Sequence, residues 1–248
     1  LPSPNLSYTV GDVNFELNSA GTANTQLQIS NMGEVGSELT YIVSKLGTSP
    51  FENAGGGPDI AGYLWSDSDL EESINYNWMD IAEMETELSF SHNDVASTPI
   101  EIGFYFPFYG IAYSQIIVNP NGWVGFGIDN SSFSNTSIPS SSAPKPAIFG
   151  FWDDLNPASG DSGGCPAGSG TVSYYSSDDY MIINFNDVVR CASQSEYTGT
   201  YNFQIILFSN GDIDLNYQSM TGYVSSGSMG MQNETGNTGL QIAYNNSY

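Results

Sequence analysis

The sequence predicts an all-β protein built as a sandwich of the jelly-roll type. Many short runs alternate between apolar and polar residues and are separated by turns rich in Gly, Asn, Asp and Ser. Helical periodicity is almost absent, and aromatic residues, which dominate β cores, make up 13% of the chain. With 248 residues, the chain suits one large β domain or one and a half smaller ones.

The charge balance excludes several classes of partner. Lys and Arg number 3 against 27 Asp and Glu, which gives a formal net charge of −24. The acidic residues are ordinary in number, and it is the basic residues that are missing. Without basic groups to neutralise phosphates, we expect no nucleic-acid partner. No apolar run approaches the roughly 18 residues of a membrane helix, so we expect no membrane insertion.

The first 46 residues alternate in the manner of strands. Four segments are predicted, at residues 6–10, 13–17, 25–30 and 38–44. The pattern GT (21–22), LQISNMG (27–33) and LTY (39–41) resembles the start of Ig-like modules of the BACON type, which precede other domains in bacterial secreted proteins. A complete Ig-like sandwich needs about 7 strands. Residues 1–46 are therefore interpreted as a partial Ig-like module whose open face something else must cover.

Two regions follow before the strongest β signals begin. Residues 47–62 are interpreted as a linker because of their Gly and Pro content. Beyond them, Asp67, Asp69 and Glu71 stand at alternate positions. This spacing fits either a solvated acidic loop or oxygen ligands for Ca²⁺. The Gly and the distal Glu of an EF-hand loop are absent, so that motif is excluded.

Apolar matching predicts the registers of two hairpins. A three-residue loop at 120–122 sets Val118 against Val124, whereas a two-residue loop would set Val118 against a glycine. A similar loop at 209–211 sets Leu207 against Ile213, whereas the alternative would bring Leu207 against a carboxylate. A further strand pair is predicted at 171–175 and 180–185, and a final strand at 239–244.

The densest apolar stretch is residues 148–157, IFGFWDDLNP. It predicts a central strand buried on both faces and closed by an Asn-Pro turn. Asp153 and Asp154 then fit two interpretations, a turn at the end of the strand or a carboxylate pair that collects Ca²⁺.

Several motifs together resemble a known secreted module. They are GFYFPFYG (103–110), NGWVGFG (121–127), FWDDLNP (151–157), GTV (170–172), TYNFQIILFSNGDI (200–213), GMQNETG (230–236) and GLQIAY (239–244). The succession is similar to the β-jelly-roll-like accessory region of secreted proteases and adhesin-like proteins of Bacteroidetes. The resemblance implies a jelly-roll-like sandwich over residues 63–248 that lies outside any catalytic domain.

The cysteines and sequons indicate an extracellular protein. Cys165 and Cys191 are the two cysteines, and a disulfide between them would close a loop of about 25 residues. Asn-x-Ser/Thr sequons occur at Asn5, Asn130, Asn135, Asn233 and Asn245. The chain begins at Leu1 without a Met or a secretory n-region, so we expect a processed product or a fragment.

Catalysis is not expected. The single histidine, His92, lies in a polar stretch, and no Gly-x-Ser-x-Gly motif accompanies it. Zinc sites need clustered Cys and His, which are lacking. A two-carboxylate glycosidase is a third interpretation that only the supply of Asp and Glu supports. The Trp and Tyr residues fit either the core of the sandwich or a surface that stacks against a ligand.

Two functions are therefore predicted for a secreted, non-enzymatic protein at the cell surface. The first is a self-assembling subunit of an extracellular filament or surface layer, with residues 1–10 donated as a strand to a neighbouring copy. The alternative is an accessory binding domain that recognises polymeric protein or carbohydrate.

Overall fold

The computed structural model describes residues 6–9, 28–33, 35, 55–68, 74–127, 132–157, 168–191 and 199–245. The chain divides into two compact units, Leu1–Lys45 and Leu46–Tyr248.

The smaller unit contains one pair of described strands. Strand β1 (Leu6–Thr9) pairs antiparallel with β2 (Gln28–Asn31), and Leu6 lies opposite Asn31. These strands overlap the first and third segments predicted for this region. The other two predicted segments, 13–17 and 38–44, lie outside the described residues.

The larger unit contains two antiparallel sheets that pack as a sandwich. The first sheet has the order β14-β13-β12-β11-β5, with β10 paired to β12. Its strands are β5 (Thr86–Glu87), β10 (Leu155–Asn156), β11 (Thr171–Ser176), β12 (Tyr180–Arg190), β13 (Tyr201–Phe208) and β14 (Ile213–Met220).

The second sheet has the order β16-β15-β9-β8-β7-β6. Its strands are β6 (Ile100–Phe108), β7 (Ile111–Asn119), β8 (Trp123–Gly125), β9 (Ala147–Trp152), β15 (Ser228–Gln232) and β16 (Gly239–Tyr244). The described residues thus form an all-β, sandwich-like fold and not a closed barrel, which confirms the predicted fold class. None of the described segments forms a helix with the length and apolarity that a membrane span needs.

The main core lies between the two sheets and is rich in aromatic side chains. Phe185 and Phe203 stack with their ring centroids 4.4 Å apart. The hydroxyl of Tyr217 on β14 donates a 2.7 Å hydrogen bond to the carbonyl of Gly150 on β9 and so joins the two sheets. Successive side chains of a strand point to opposite faces of the sheet. Aromatic residues at alternate positions therefore all point into the space between the two sheets.

Both sheets are also covered on their outer faces. Ile81 packs on Ile182 and Ile206 outside the first sheet. Outside the second sheet, Ile138 and Ala143 pack in a cluster that contains Trp123, Phe149 and Trp152. Every residue of β9 is buried, as predicted for a central strand covered on both faces.

The two hairpin registers are confirmed. Val118 lies opposite Val124. Leu207 lies opposite Ile213, and Ile205 lies opposite Leu215. The predicted strand pair at 171–175 and 180–185 is confirmed as β11 and β12, and the predicted final strand is confirmed as β16.

Two local features complete the larger unit. Pro107 lies within β6, which continues to Phe108. A proline fits there because β6 is at the edge of its sheet. The described part of the expected linker belongs to the larger unit, where β3 (Gly55–Gly56) pairs with β4 (Trp65–Ser66).

Candidate functional site

A groove runs along one side of the sandwich, where β14 and β16 are the last of the described strands in the first and second sheets. Its volume is about 770 Å³, within the range of pockets that hold small ligands or short chain segments. Its walls are residues 62–68, 74–76, 211–217 and 229–231, together with Ile148, Leu240 and Ile242.

The floor of the groove is apolar because it reaches the main core. Ile148, Met229 and Leu240 are buried core residues that also line the groove. Toward solvent, Leu64 and Tyr76 are 46% and 53% exposed. Large apolar side chains therefore extend from the core to the surface along the groove.

The rim of the groove carries carboxylates. Asp67, Asp212 and Asp214 line it, and no described lysine or arginine does. Asp212 is fixed by the turn before β14, where Asn210 Nδ2 donates a 2.7 Å hydrogen bond to Asp212 Oδ2. The pKa of Asp214 is raised by desolvation and then by the negative charge of Asp212. The site thus combines apolar walls with a negative rim.

One end of the groove is held by a cluster of tyrosines around Asp59. The hydroxyl of Tyr109 donates a 2.7 Å hydrogen bond to Asp59 Oδ2, and the backbone N–H of Tyr63 donates to Asp59 Oδ1. Desolvation, reinforced by the hydrogen bond to Asp59, raises the pKa of Tyr109 above its usual range. These bonds connect the segment that carries Leu64 and Trp65 to the turn between β6 and β7.

Asp153, one of the predicted calcium ligands, makes hydrogen bonds to three other groups of the protein. Its side chain is buried, and its Oδ2 accepts a 2.8 Å hydrogen bond from Arg190 Nε. Ser226 Oγ donates to the same oxygen. Its Oδ1 accepts a 2.8 Å bond from the backbone N–H of Asp154, as in a turn. The turn interpretation describes this carboxylate well.

Asp154 lies beside it in a different environment. Desolvation raises the pKa of Asp154 to about 6, with further contributions from Asp94 and Asp153 and an opposing one from Arg190. Its backbone carbonyl accepts a 2.7 Å hydrogen bond from the N–H of Cys191. Within the described ranges, no group of three or more His, Cys, Asp or Glu side chains has a metal-binding arrangement.

Only some of the predicted calcium and disulfide residues lie in the part of the chain that the structure describes. Asp67 lines the groove, whereas Asp69 and Glu71 lie outside the described residues. Cys191 follows the end of β12, and Cys165 lies outside the described residues. The calcium site and the Cys165–Cys191 disulfide therefore stay predictions.

The remaining candidate residues, the tryptophans and His92, lie partly in the core and partly near the surface. Trp123 and Trp152 are buried, and both indole N–H groups donate to the carbonyl of Ser132. His92 sits in a local turn, where its Nδ1 accepts a 3.2 Å hydrogen bond from the backbone N–H of Asp94. Trp65 alone of the four tryptophans lines the groove among the described residues.

Sequence reasoning did not find the groove, although one signal was present. Ile213, Leu215 and Tyr217 alternate with Asp212, Asp214 and Asn216. This alternation predicts the strand and its buried face. It does not predict that the edge of the strand stays open beside β16, because that depends on the order of the sheets.

The described residues of the larger unit thus form a β-sandwich with a groove at its open side. Residues 70–248 match the model of the NIDO-related family, which covers nearly three quarters of the chain. The chain therefore belongs to the NIDO-related family, and this membership is consistent with an extracellular module. No curated protein and no solved structure matches the chain. The resemblances to BACON-type modules and to accessory regions of Bacteroidetes proteases and adhesins stay predictions.

Proposed function

We propose that this protein is a secreted, non-catalytic module that binds an extended segment of an extracellular polymer in the groove. The observation that carries the proposal is the groove itself, a cleft of about 770 Å³ that follows the edge of β14. Clefts with an apolar floor and a few polar groups at the rim are the usual form of binding sites.

The distribution of the exposed apolar residues supports binding at this place. Leu64, Ile74 and Tyr76 are all exposed, and all three line the groove. Exposed apolar side chains that are contiguous and rimmed by polar groups mark interaction sites more often than scattered ones do. A polymer chain lying in the groove would remove these side chains from water.

A binding assay with paired tyrosine variants tests the proposal. Protein would be incubated with insoluble extracellular polymers, namely gelatin, cellulose, chitin and peptidoglycan, and the bound fraction measured after washing. Tyr76→Ala removes a groove residue, and Tyr105→Ala removes a tyrosine that is 74% exposed and does not line the groove. We expect at least one polymer to retain the wild type and Tyr105→Ala but not Tyr76→Ala. The proposal is wrong if no polymer retains the wild type, or if every polymer that retains the wild type also retains Tyr76→Ala.

A second candidate function is a subunit that assembles with copies of itself. The observation that favours it is that, among the described residues of the smaller unit, β1 pairs only with β2, and a two-stranded sheet is marginally stable. An added strand from a neighbouring copy would stabilise it. Since Leu6–Thr9 already pairs with Gln28–Asn31 in the same chain, residues 1–10 would be donated through the other edge of β1 or by exchange between copies.

Electron microscopy tests this second function. Assembly predicts filaments or layers in the native material, and deletion of residues 1–10 would then abolish them while leaving residues 63–248 folded. Monodisperse particles in the native material, or filaments that persist in the deletion variant, would contradict the strand-donor hypothesis.

A further inference from the structure

We propose that the ligand of the groove is an extended peptide of another protein, with Lys or Arg among apolar side chains, added as a strand to the outer edge of β14. This inference rests on the proposed function and names the class of its ligand. Three features of the groove carry it: the way it follows a strand edge, its apolar floor and its charge.

The first feature is the run of residues that lines the groove. Every residue from Gly211 to Tyr217 contacts it, although neighbouring side chains on a strand point to opposite faces. A cavity that touches all of them lies along the edge of the strand and not against one face. The lined length of β14 and its turn corresponds to roughly 20 Å of extended chain.

The edge that borders the groove belongs to a terminal strand. Among the described strands, β14 pairs with β13 on one side and with no strand on the other. The edge of a terminal strand presents backbone N–H and C=O groups at regular spacing. A peptide in extended conformation matches that spacing and forms main-chain hydrogen bonds, which is the general mode of strand addition. A glycan does not reproduce this repeat.

The second feature is the floor, which accepts side chains from one face of an added strand. Met231 and Leu240 are buried core residues that line the groove, and Leu64 and Ile74 rise beside them. Apolar side chains at alternate positions of the peptide would pack there. The side chains between them would point outward, toward the rim.

The third feature is the charge of the rim, which selects the partner. Asp67, Asp212 and Asp214 line the groove, and a basic side chain would neutralise the repulsion between Asp212 and Asp214. A second copy of this chain is a poor source of such a side chain, because each copy has a net charge of −24 and 3 basic residues. Of these, Arg190 is paired with Asp153, and Lys145 Nζ donates to the carbonyl of Ser141. The fitting partner is therefore a different protein.

The test uses the whole chain and short synthetic peptides. The probe is a peptide of alternating Val and Thr in which some Thr positions are replaced by Lys, and binding is measured by fluorescence anisotropy. Matched peptides carry Glu in place of Lys, or N-methyl groups at alternate backbone nitrogens. We expect the Lys peptide to bind, and the Glu and N-methylated peptides to bind at least about tenfold more weakly.

Charge reversal in the protein separates the groove from general attraction to an acidic chain. Asp214→Lys reverses a carboxylate in the groove, and Asp178→Lys makes the same change in the exposed turn between β11 and β12. We expect Asp214→Lys to weaken binding of the Lys peptide about tenfold and to strengthen binding of the Glu peptide. Asp178→Lys should change the binding of neither peptide appreciably.

The outcomes distinguish this inference from the proposed function on which it rests. If the Lys peptide fails to bind at concentrations on the order of 1 mM, or if Asp214→Lys and Asp178→Lys act alike, the peptide assignment is wrong. In that case, retention on a polysaccharide that Tyr76→Ala abolishes would leave the proposed function standing with a glycan as ligand. Loss of both results would overturn the proposed function as well.

Discussion

Arg190 and Asp153 form an ion pair that joins the two sheets, with Arg190 Nε 2.8 Å from Asp153 Oδ2. Arg190 is the last residue of β12 in the first sheet, and Asp153 follows β9 in the second. The side chain of Asp153 is 4% exposed and that of Arg190 is 21% exposed. One of the 3 basic residues of the chain thus compensates a carboxylate that the fold buries.

Replacing Arg190 should destabilise the protein strongly. Arg190→Met leaves Asp153 buried with the hydroxyl of Ser226 as its remaining side-chain partner, and an uncompensated buried charge costs about 3–5 kcal/mol. We expect a lower midpoint of urea unfolding, measured by tryptophan fluorescence. The double variant Arg190→Met/Asp153→Asn should recover part of the loss, because it removes the charge as well.

Lys145→Met is the matched control for Arg190→Met. It removes one positive charge from a side chain whose Nζ contacts the Ser141 carbonyl and no described carboxylate. We expect a change below about 1 kcal/mol. Equal destabilisation by the two variants would show that net charge, and not the pair with Asp153, sets the stability.

Gly110 and Gly122 both have a positive φ, but replacing them by alanine should lower the stability by very different amounts. Gly122 has φ +84°, and a Cβ there would lie 1.9 Å from the carbonyl oxygen of Phe151. Gly110 has φ +79° and nothing within 4 Å of that position. Gly110→Ala should cost about 1–2 kcal/mol for the left-handed conformation alone. Gly122→Ala should cost well beyond that, because the backbone of β9 must move.

Thermal unfolding monitored by circular dichroism measures both glycine variants. A decrease in Tm for Gly122→Ala no larger than that for Gly110→Ala would contradict the close approach of the 120–122 loop to β9. Since the loop carbonyl of Gly122 accepts hydrogen bonds from the N–H groups of Gly150 and Phe151, this approach fixes the second sheet locally.

The sequence was sufficient for local structure but not for contacts between distant segments. Hairpin registers follow from apolar matching over a few residues, and Val118 opposite Val124 is set within one turn. By contrast, Arg190 and Asp153 are 37 residues apart, and only the packing of β12 against the end of β9 brings them together. The groove depends in the same way on the positions of β14 and β16, each of which is the last described strand at one end of its sheet.

Covering segments were another feature that periodicity did not reveal. Trp123 and Trp152 are buried outside the second sheet because residues 132–146 lie over them, and the Ser132 carbonyl accepts both indole N–H groups. The sequence pattern of a strand is the same whether its aromatic side chains are covered by a loop or exposed to a ligand. Whether such a side chain belongs to the core or to a binding surface depends on the path of the loop.

The disulfide between Cys165 and Cys191 remains to be measured. If it forms, non-reducing mass spectrometry after alkylation should show no alkylated thiol, and reduction should expose both cysteines. In the chain-entropy model, a loop of about 25 residues contributes roughly 3 kcal/mol. We therefore expect a reducing agent to lower Tm, and alkylation of both cysteines without reduction would exclude the bond.

Calcium binding is tested by the effect of Ca²⁺ on Tm. Asp67, Asp69 and Glu71 carry oxygen ligands of the type that Ca²⁺ prefers, and a ligand that binds only the folded state raises its stability. We expect a higher Tm in excess Ca²⁺ than in excess chelator, and no such difference in the triple variant Asp67→Asn/Asp69→Asn/Glu71→Gln. An unchanged Tm in the wild type would exclude the site.

The pKa of Asp154 predicts how stability depends on pH. It is raised to about 6, so the folded state binds the proton more tightly than the unfolded state, where the ordinary value is near 3.8. The stabilisation from the protonated form is full below about pH 4 and is lost as the pH rises through 6. The difference of about two pKa units corresponds to about 3 kcal/mol, and partial exposure to solvent reduces it to about 1–2 kcal/mol.

Asp154→Asn should remove this dependence, because an amide stays neutral at every pH in the range. We expect the variant to be more stable than the wild type by about 1–2 kcal/mol at pH 7.5 and equal to it near pH 4, from urea unfolding at each pH. Asp178→Asn removes the same charge from an exposed turn and should leave the profile unchanged. If Asp154→Asn and the wild type lose stability in parallel between pH 4 and pH 7.5, burial of Asp154 beside Asp94 and Asp153 is not the cause of that loss.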